Sequence, residues 1–336
     1  MARLTGKLGE WELPHVHMWK DRRAQIQWTP TPLIGPETRM ATIGSCFAAE
    51  IAAAMTRFKL NGAMHPGGLF YTTRSIRQEI ERIFGGWPEY KDEPYWKVQG
   101  GYIHPFKNYS KSFPDPDLVR AWSDGIDAQA DRLFRSADLL VITLGLIEAW
   151  MNPATGSVYR QIPHPEAFPS LGAQFYRLTV MDMIEDLTRI RDVVRQNTNA
   201  HIIVTVSPVP LQATLMPLDV RVANTESKSR IRAAVSEIVD RHPDVHYFHS
   251  FELVTTAERF SDFMREDGRH VRPQAVDYIL DQFLQMFGGA GIHRPPVDGS
   301  WITGPAKTRQ RPVKRTRWRR TIDYVRRRIT PVRKDG

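Results

Sequence analysis

Four short apolar runs limit what this chain can fold into. They are residues 40–44 (MATIG), 139–145 (LLVITLG), 201–207 (HIIVTVS) and 245–248 (VHYF). All are rich in β-formers and apolar almost throughout, as strands buried on both faces are. Amphipathic stretches stand between and after them, at 48–58, 180–197, 226–242 and 272–287, with a further helix predicted at 75–86. Strands alternating with helices imply an α/β fold on a mostly parallel sheet. Two long segments interrupt the alternation. Residues 62–118 carry Trp87, Tyr90, Tyr95, Trp96, Tyr102, Phe106, Tyr109 and Phe113 among many Gly and Pro, and residues 151–175 form a polar, proline-bearing insertion. Segments this long in a compact domain are functional or disordered, and the aromatic content argues against disorder.

Composition narrows the class. Hydrophobic content of 41% with 25% charged residues is that of an ordinary globular chain. The single cysteine, Cys46, excludes an internal disulfide framework. The opening MARLTGKLGEWELPHVHMWKDRR lacks the apolar core of a signal peptide. No apolar run reaches the length of about 18 residues that a spanning helix needs. The expectation is a cytoplasmic protein.

The net charge of +9 is unevenly spread. Residues 301–336 hold 13 Lys and Arg against 2 Asp and Glu, which leaves 33 against 35 for the rest. The body is therefore at −2 and the tail at +11. The body gives no reason to expect a specific nucleic-acid partner. The expected organisation is an N-terminal extension (1–30), one domain (31–288), a linker (289–313) and a basic tail (314–336). Within the tail, Trp318, Ile322, Val325 and Ile329 share one helical face, with arginines around them. Such a segment, residues 315–329, suits an anionic membrane surface and would bring the protein to the inner membrane face. A solvated tail and a nucleic-acid contact are the competing readings.

Ligands of parallel α/β sheets bind outside the carboxyl ends of the strands, so the residues just past each run carry the chemistry. After the first run comes Gly44-Ser45-Cys46, two nucleophile-type side chains where a strand turns into a helix. Unpaired N–H groups and the dipole at a helix N-terminus favour a thiolate and can donate to an oxyanion. The competing reading is a capping Ser45 and a buried, inert Cys46. After the second run comes Gly145-Leu146-Ile147-Glu148-Ala149-Trp150. Ser207 ends the third, and NTESKSRIR (224–232), with Asn224 and Lys228, comes after it. Asp267 and His270 are spaced so that the carboxylate can orient the imidazole, and a nucleophile, a base and its orienter make a triad. The histidines at 15, 17, 242, 246 and 249 form no credible ligand set, and no phosphate-binding loop or dinucleotide fingerprint is present, so no metal or other cofactor is expected.

The run IGSCFA (43–48) resembles the signature of the GSCFA family, which belongs with the SGNH/GDSL hydrolase-like superfamily. LLVITLGLIEAW, SPVPL, NTESKSRIR, VHYFHSFELV and DGRHVRP resemble it too, over about residues 25–285. The resemblance implies a three-layer flavodoxin-like sheet, a site built from the Gly-Asp-Ser position and a distal DxxH, and chemistry on ester-linked acyl groups, in many relatives of carbohydrates. Laid on that pattern, Gly44 takes the glycine, Ser45 the aspartate and Cys46 the nucleophilic serine, with Ser45 in reserve if the turn differs by one residue. His270 would be the base and Asp267 its orienter. Gly145 takes the glycine of the Gly-x-Asn-Asp block, where Ile147 replaces the asparagine and Glu148 the aspartate. That departure removes one oxyanion donor and leaves the Cys46 N–H or glycine N–H groups to serve. Gly44, Gly145, Glu148, Trp150, Ser207, Asn224 and Lys228 would complete the oxyanion and binding surface. The expected activity is an acyl-esterase or acyltransferase acting on O-acyl groups of a carbohydrate or polysaccharide precursor, with an inactive glycan-binding module as the alternative. On the first reading, the aromatic segment would stack on sugar rings.

Overall fold

The computed structural model describes Ile26 and residues 29–85, 93–107, 111–164, 166–167, 171–257, 260–297 and 299. The predicted tail and most of the N-terminal extension lie outside the described residues, as do Trp87, Tyr90 and Tyr109. By its contacts the chain divides into 1–302 and 303–336, and the sheet, its helices and the candidate site all belong to the first unit.

Five parallel strands form the central sheet. They are β1 (Met40–Gly44), β2 (Gly62–Met64), β5 (Leu139–Leu144), β9 (His201–Val206) and β10 (Val245–Phe248). Their spatial order is β10-β9-β5-β1-β2, all parallel. In chain order this is 2-1-3-4-5, the flavodoxin-like winding, which reverses direction between β1 and β5 and opens a crevice there. The four apolar runs are four of these strands, to within a residue. The fifth, β2, is a three-residue edge strand (GAM) that no apolar run announces.

Successive strand residues face opposite sides, and each side has its own core. On one side Ala41, Ile43, Leu140, Ile142 and Leu144 pack against α2 (Thr73–Phe84), α3 (Pro116–Arg135), α4 (Val180–Asn197) and α5 (Val220–Arg241). On the other, Met40, Leu139, Val141 and Ile203 pack against α1 (Cys46–Arg57), α6 (Ser250–Thr255), the single turn α7 (Phe260–Phe263) and α8 (Pro273–Phe287). The result is a three-layer α/β/α sandwich. Ile292 and Val297 also pack on the second core, so the first residues of the segment read as a linker lie on the body.

The insertions are structured. Residues 93–107 hold an antiparallel pair, β3 (Trp96–Val98) and β4 (Gly101–Ile103). Residues 148–177 hold a small antiparallel sheet of β6 (Glu148–Met151), β7 (Val158–Tyr159) and β8 (Gln174–Arg177). Trp96, Phe106 and Tyr159 close a third core between them, and Phe106 stacks on Tyr159 at 5.4 Å. Trp96 and Phe106 are therefore committed to packing, which withdraws these two rings from the sugar contact expected of the aromatic segment. A charged cluster helps seat this insertion on α2. The buried carboxylate of Glu79 meets His65 Nε2 at 2.8 Å and the Arg82 guanidinium at 2.8 Å, while buried Lys107 pairs with Asp127. No helix among the described residues is long and apolar enough to cross a membrane.

Candidate active site

Gly44 ends β1 at φ +141°, a region glycine tolerates and other residues avoid. A Cβ there would lie 2.1 Å from the Thr143 carbonyl oxygen, so the turn exists only because residue 44 has no side chain. Ser45 follows in an extended conformation as the residue preceding α1. Its N–H donates to Thr143 O and Oγ1, both at 3.0 Å, and its Oγ lies 3.2 Å from Thr143 Oγ1. Ser45 is 2% exposed. Its hydroxyl knits β1 to β5 and caps no helical N–H.

Cys46 begins α1 and is half-buried. Together with Ser45 it lies on the wall of a cavity of about 450 Å³ at the carboxyl ends of β1 and β5. Tyr71, Gly145, Leu146 and Ser207 line the same cavity. So do Glu148 and Trp150 of the small sheet, Tyr159, Arg160 and Ile162, the loop 209–215, and Arg269. The loop is held by three side chains. Glu148 accepts from the Thr214 hydroxyl and, at 3.1 Å, from Leu215 N–H. Asn224 Oδ1 accepts from Leu211 N–H at 3.0 Å. Ser207 Oγ accepts from Val209 N–H at 3.2 Å and turns the chain into the loop.

Burial pushes the Cys46 thiol above its ordinary pKa, and it outweighs the opposing pull of Lys228, Arg269 and the N–H groups of Cys46 and Phe47. The sequence predicts a thiol with a lowered pKa. The helix terminus acts in that direction, but removal from water is the larger effect at this depth. Lys228 stands behind Gly145, 2% exposed, and its Nζ donates to Gly145 O at 2.7 Å. Desolvation pushes its pKa down to about 7, with Cys46 opposing the fall.

The glycine N–H groups expected to face an oxyanion are committed elsewhere. Gly145 N–H and Leu146 N–H both donate to Tyr71 O at 3.1 Å. The N–H groups of Cys46 and Phe47 act to lower the Cys46 pKa. Asp267 and His270 do meet: Oδ2 lies 2.6 Å from Nδ1, and Asp267 Oδ1 also accepts from the N–H groups of Arg269 and His270 at 2.8 and 3.0 Å. These bonds hold the Asp267 carboxyl well below the usual carboxylate range. The pair lies at the surface, with side chains 47% and 39% exposed. Arg269, between them in sequence, is the residue of this turn that lines the cavity.

The sequence profile of the GSCFA family matches residues 39–283. The chain belongs to the GSCFA family. No curated protein matches it. Among solved structures it is similar to a carbohydrate esterase family 2 enzyme with a carbohydrate-binding domain from Corynascus thermopiles (Myceliophthora fergusii). The two share 13% identity with a TM-score of 0.28, over 66% of this chain and 58% of that one. The GSCFA chain therefore spans less than two thirds of that protein's length.

Ser45 and Cys46 of the GSCFA signature and the motif residue Arg269 meet at one cavity, with Gly145, Glu148, Trp150 and Ser207 around it, while Gly44 sets the turn from behind and is not among its lining residues. His270, Asp267, Asn224 and Lys228 are not among the described residues that line it. Asn224 and Lys228 stand one layer back, acting through Leu211 and Gly145. Sequence reasoning missed Tyr71, Arg160 and Arg269. Arg269 was the most findable of the three, as an interior residue of the DxxH spacing. Among the described residues no group of three or more His, Cys, Asp or Glu is placed to hold a metal ion.

Proposed function

We propose that this protein is an acyl-esterase or acyltransferase acting on O-acyl groups of a carbohydrate or polysaccharide precursor, with Cys46 as nucleophile. One observation carries the reading: the only thiol of the chain stands on the cavity wall at the reversal of a doubly wound sheet, where such folds bind ligands. In the proposed reaction Cys46 Sγ attacks the acyl carbonyl, and the alcohol oxygen leaves with a proton. Water or an acceptor hydroxyl then attacks the thioester and releases Cys46. His270, oriented by Asp267, takes and returns the proton. Trp150 and Tyr71 supply the aromatic faces for a sugar or acyl group.

Two observations favour a second reading, an inactive binding module of the same fold. Ile147, buried, stands where the superfamily pattern puts an oxyanion-donating asparagine, and the thiol is disfavoured as thiolate. Mass spectrometry of the intact protein after incubation with an activated acyl ester separates the two. We expect one added acyl group in the native chain and in Ser45→Ala, and none in Cys46→Ala. Acylation that survives in Cys46→Ala and disappears in Ser45→Ala moves the nucleophile to Ser45. No acylation of the native chain supports the binding module. An independent part of the proposal is peripheral contact of residues 315–329 with an anionic membrane surface, supported by their charge and apolar spacing.

A further inference from the structure

We propose that the cavity takes a substrate carrying a carboxylate or phosphate beside its reactive carbonyl, and that Arg269 is the residue that reads this charge. The inference deepens the acyl-transfer reading, on which it rests for the identity of the bond that reacts. Arg269 lines the cavity with Cys46, and its Nε is buried without a hydrogen-bond partner. No carboxylate among the described residues pairs with its guanidinium. A buried donor without an acceptor is unfavourable unless a ligand supplies one. The motif fixes the backbone from which Arg269 projects, because Asp267 Oδ1 accepts from Arg269 N–H at 2.8 Å.

The surrounding charges agree. Glu148 is the only acidic residue among the described residues that line the cavity, and its two carboxylate oxygens are already taken by Thr214 and Leu215. Arg160 also lines the cavity. Its guanidinium donates to Leu69 O at 2.7 Å and sits 4.1 Å from the Phe70 ring centre, so it is held rigidly in place. Lys228 is buried behind Gly145 with a carbonyl as its partner and no carboxylate near it among the described residues. Arg269 thus faces a cavity whose one carboxylate among the described lining residues is occupied. A neutral ester would leave the Arg269 charge without a counter-charge in the bound state, whereas a resident carboxylate or phosphate supplies one. Leu146, Trp150, Ile162 and Leu211 provide apolar walls for the rest of the acyl group. The substrate class is therefore an anionic acyl ester: a half-ester of a dicarboxylic acid, or an acyl group on a phosphorylated carrier.

Because Cys46 is the only cysteine, its alkylation reads the charge of the site without requiring turnover. Iodoacetate and iodoacetamide differ by one negative charge. In each, the thiolate sulfur attacks the methylene carbon, a C–S bond forms and iodide leaves. At one fixed pH, iodoacetate should alkylate the native protein about tenfold faster than iodoacetamide, within the range that local positive potential gives. Arg269→Lys should keep most of that preference, and Arg269→Gln should bring the ratio to about one. A ratio at or below one in the native protein overturns the proposal, as does a preference unchanged in Arg269→Gln. If Cys46 reacts with neither reagent, calorimetric titration decides. Tighter binding of benzoate or phenyl phosphate than of benzamide, lost in Arg269→Gln, supports the proposal; no preference for either anion overturns it. The better of the two anions distinguishes a carboxylate-bearing from a phosphate-bearing substrate. Acylation without charge selectivity defeats this inference alone, and charge selectivity without acylation defeats the enzyme reading alone.

Discussion

Lys228 shows how a single residue couples the fold to the site. A fully buried ammonium is unfavourable without a counter-charge, and this one has a carbonyl at 2.7 Å in place of a carboxylate. Its pKa falls from 10.5 to about 7. The folded state therefore binds fewer protons at Lys228 than the unfolded chain between these two values, and stability rises with pH across that window. Below about pH 7 both states are protonated and the penalty is fully present. Above the unfolded value both are neutral and it is gone. Lys228→Met removes the titrating group. We expect the variant to lack a slope of up to about 1.4 kcal/mol per pH unit that the native protein shows between neutral and strongly alkaline pH. Its melting temperature, relative to native, should therefore be higher at about pH 7 than at about pH 10. Parallel melting-temperature curves for the two proteins over that window would show that Lys228 is charged and compensated in the fold. Sequence made the glycine-serine-cysteine turn legible, because strand, glycine and helix meet there in three residues. It could not show that Lys228 is buried, since lysine inside a polar stretch such as NTESKSRIR reads as solvated.

Four of the five strands of the central sheet were legible, and the elements that shape the pocket mostly were not. β1, β5, β9 and β10 are buried on both faces over most of their length and so are apolar almost throughout, and α4 was bounded correctly at 180–197, where Thr179 and Asp182 form a reciprocal cap at its start. By contrast α5 begins at Val220, six residues before the stretch read as a helix, because its first turns are half-exposed and polar and prolines precede them. α3 went unread, as its apolar face is thin and Gly125 interrupts it. The small sheet β6–β8 has strands of two to four residues and gains its stability from what it docks on. Gln78 of α2 is that dock. Its Nε2 donates to Val158 O at 3.0 Å, and its Oε1 accepts from Val158 N–H at 2.7 Å. Gln78→Leu leaves both buried backbone groups of Val158 unpaired, at a cost of about 1–3 kcal/mol each at most. We expect faster amide exchange confined to residues 148–177 and a loss of acylation, with the five-stranded sheet still protected. Exchange that rises equally in β5 and β9 would mean that the small sheet and the central sheet open as one unit.

At the scale of the whole molecule the charge is divided more sharply than the fold. The body is nearly neutral, and +11 of the net charge lies beyond residue 300. Among the described residues, all three cores and the cavity-lining residues lie before residue 300, and the last residue that packs on any core is Val297. A chain ending at residue 302 should therefore melt at the same temperature as the full chain and accept the same acyl group on Cys46. Its attachment to vesicles containing phosphatidylserine should be lost, because juxtamembrane basic residues contribute about 1 kcal/mol each near such a surface. Raising the salt should weaken attachment of the full chain as the Debye length falls below about 10 Å. The variant Trp318→Ala with Ile322→Ala keeps every charge and removes two of the four apolar residues on the predicted face. If the segment inserts as an amphipathic helix, vesicle sedimentation should show weaker attachment of this variant at every salt concentration. Attachment that depends on salt but ignores the double substitution would mean that charge alone holds the tail to the surface. Indifference of the full chain to anionic vesicles, with tight and steeply salt-dependent binding to RNA or DNA, would transfer the tail to a nucleic-acid partner.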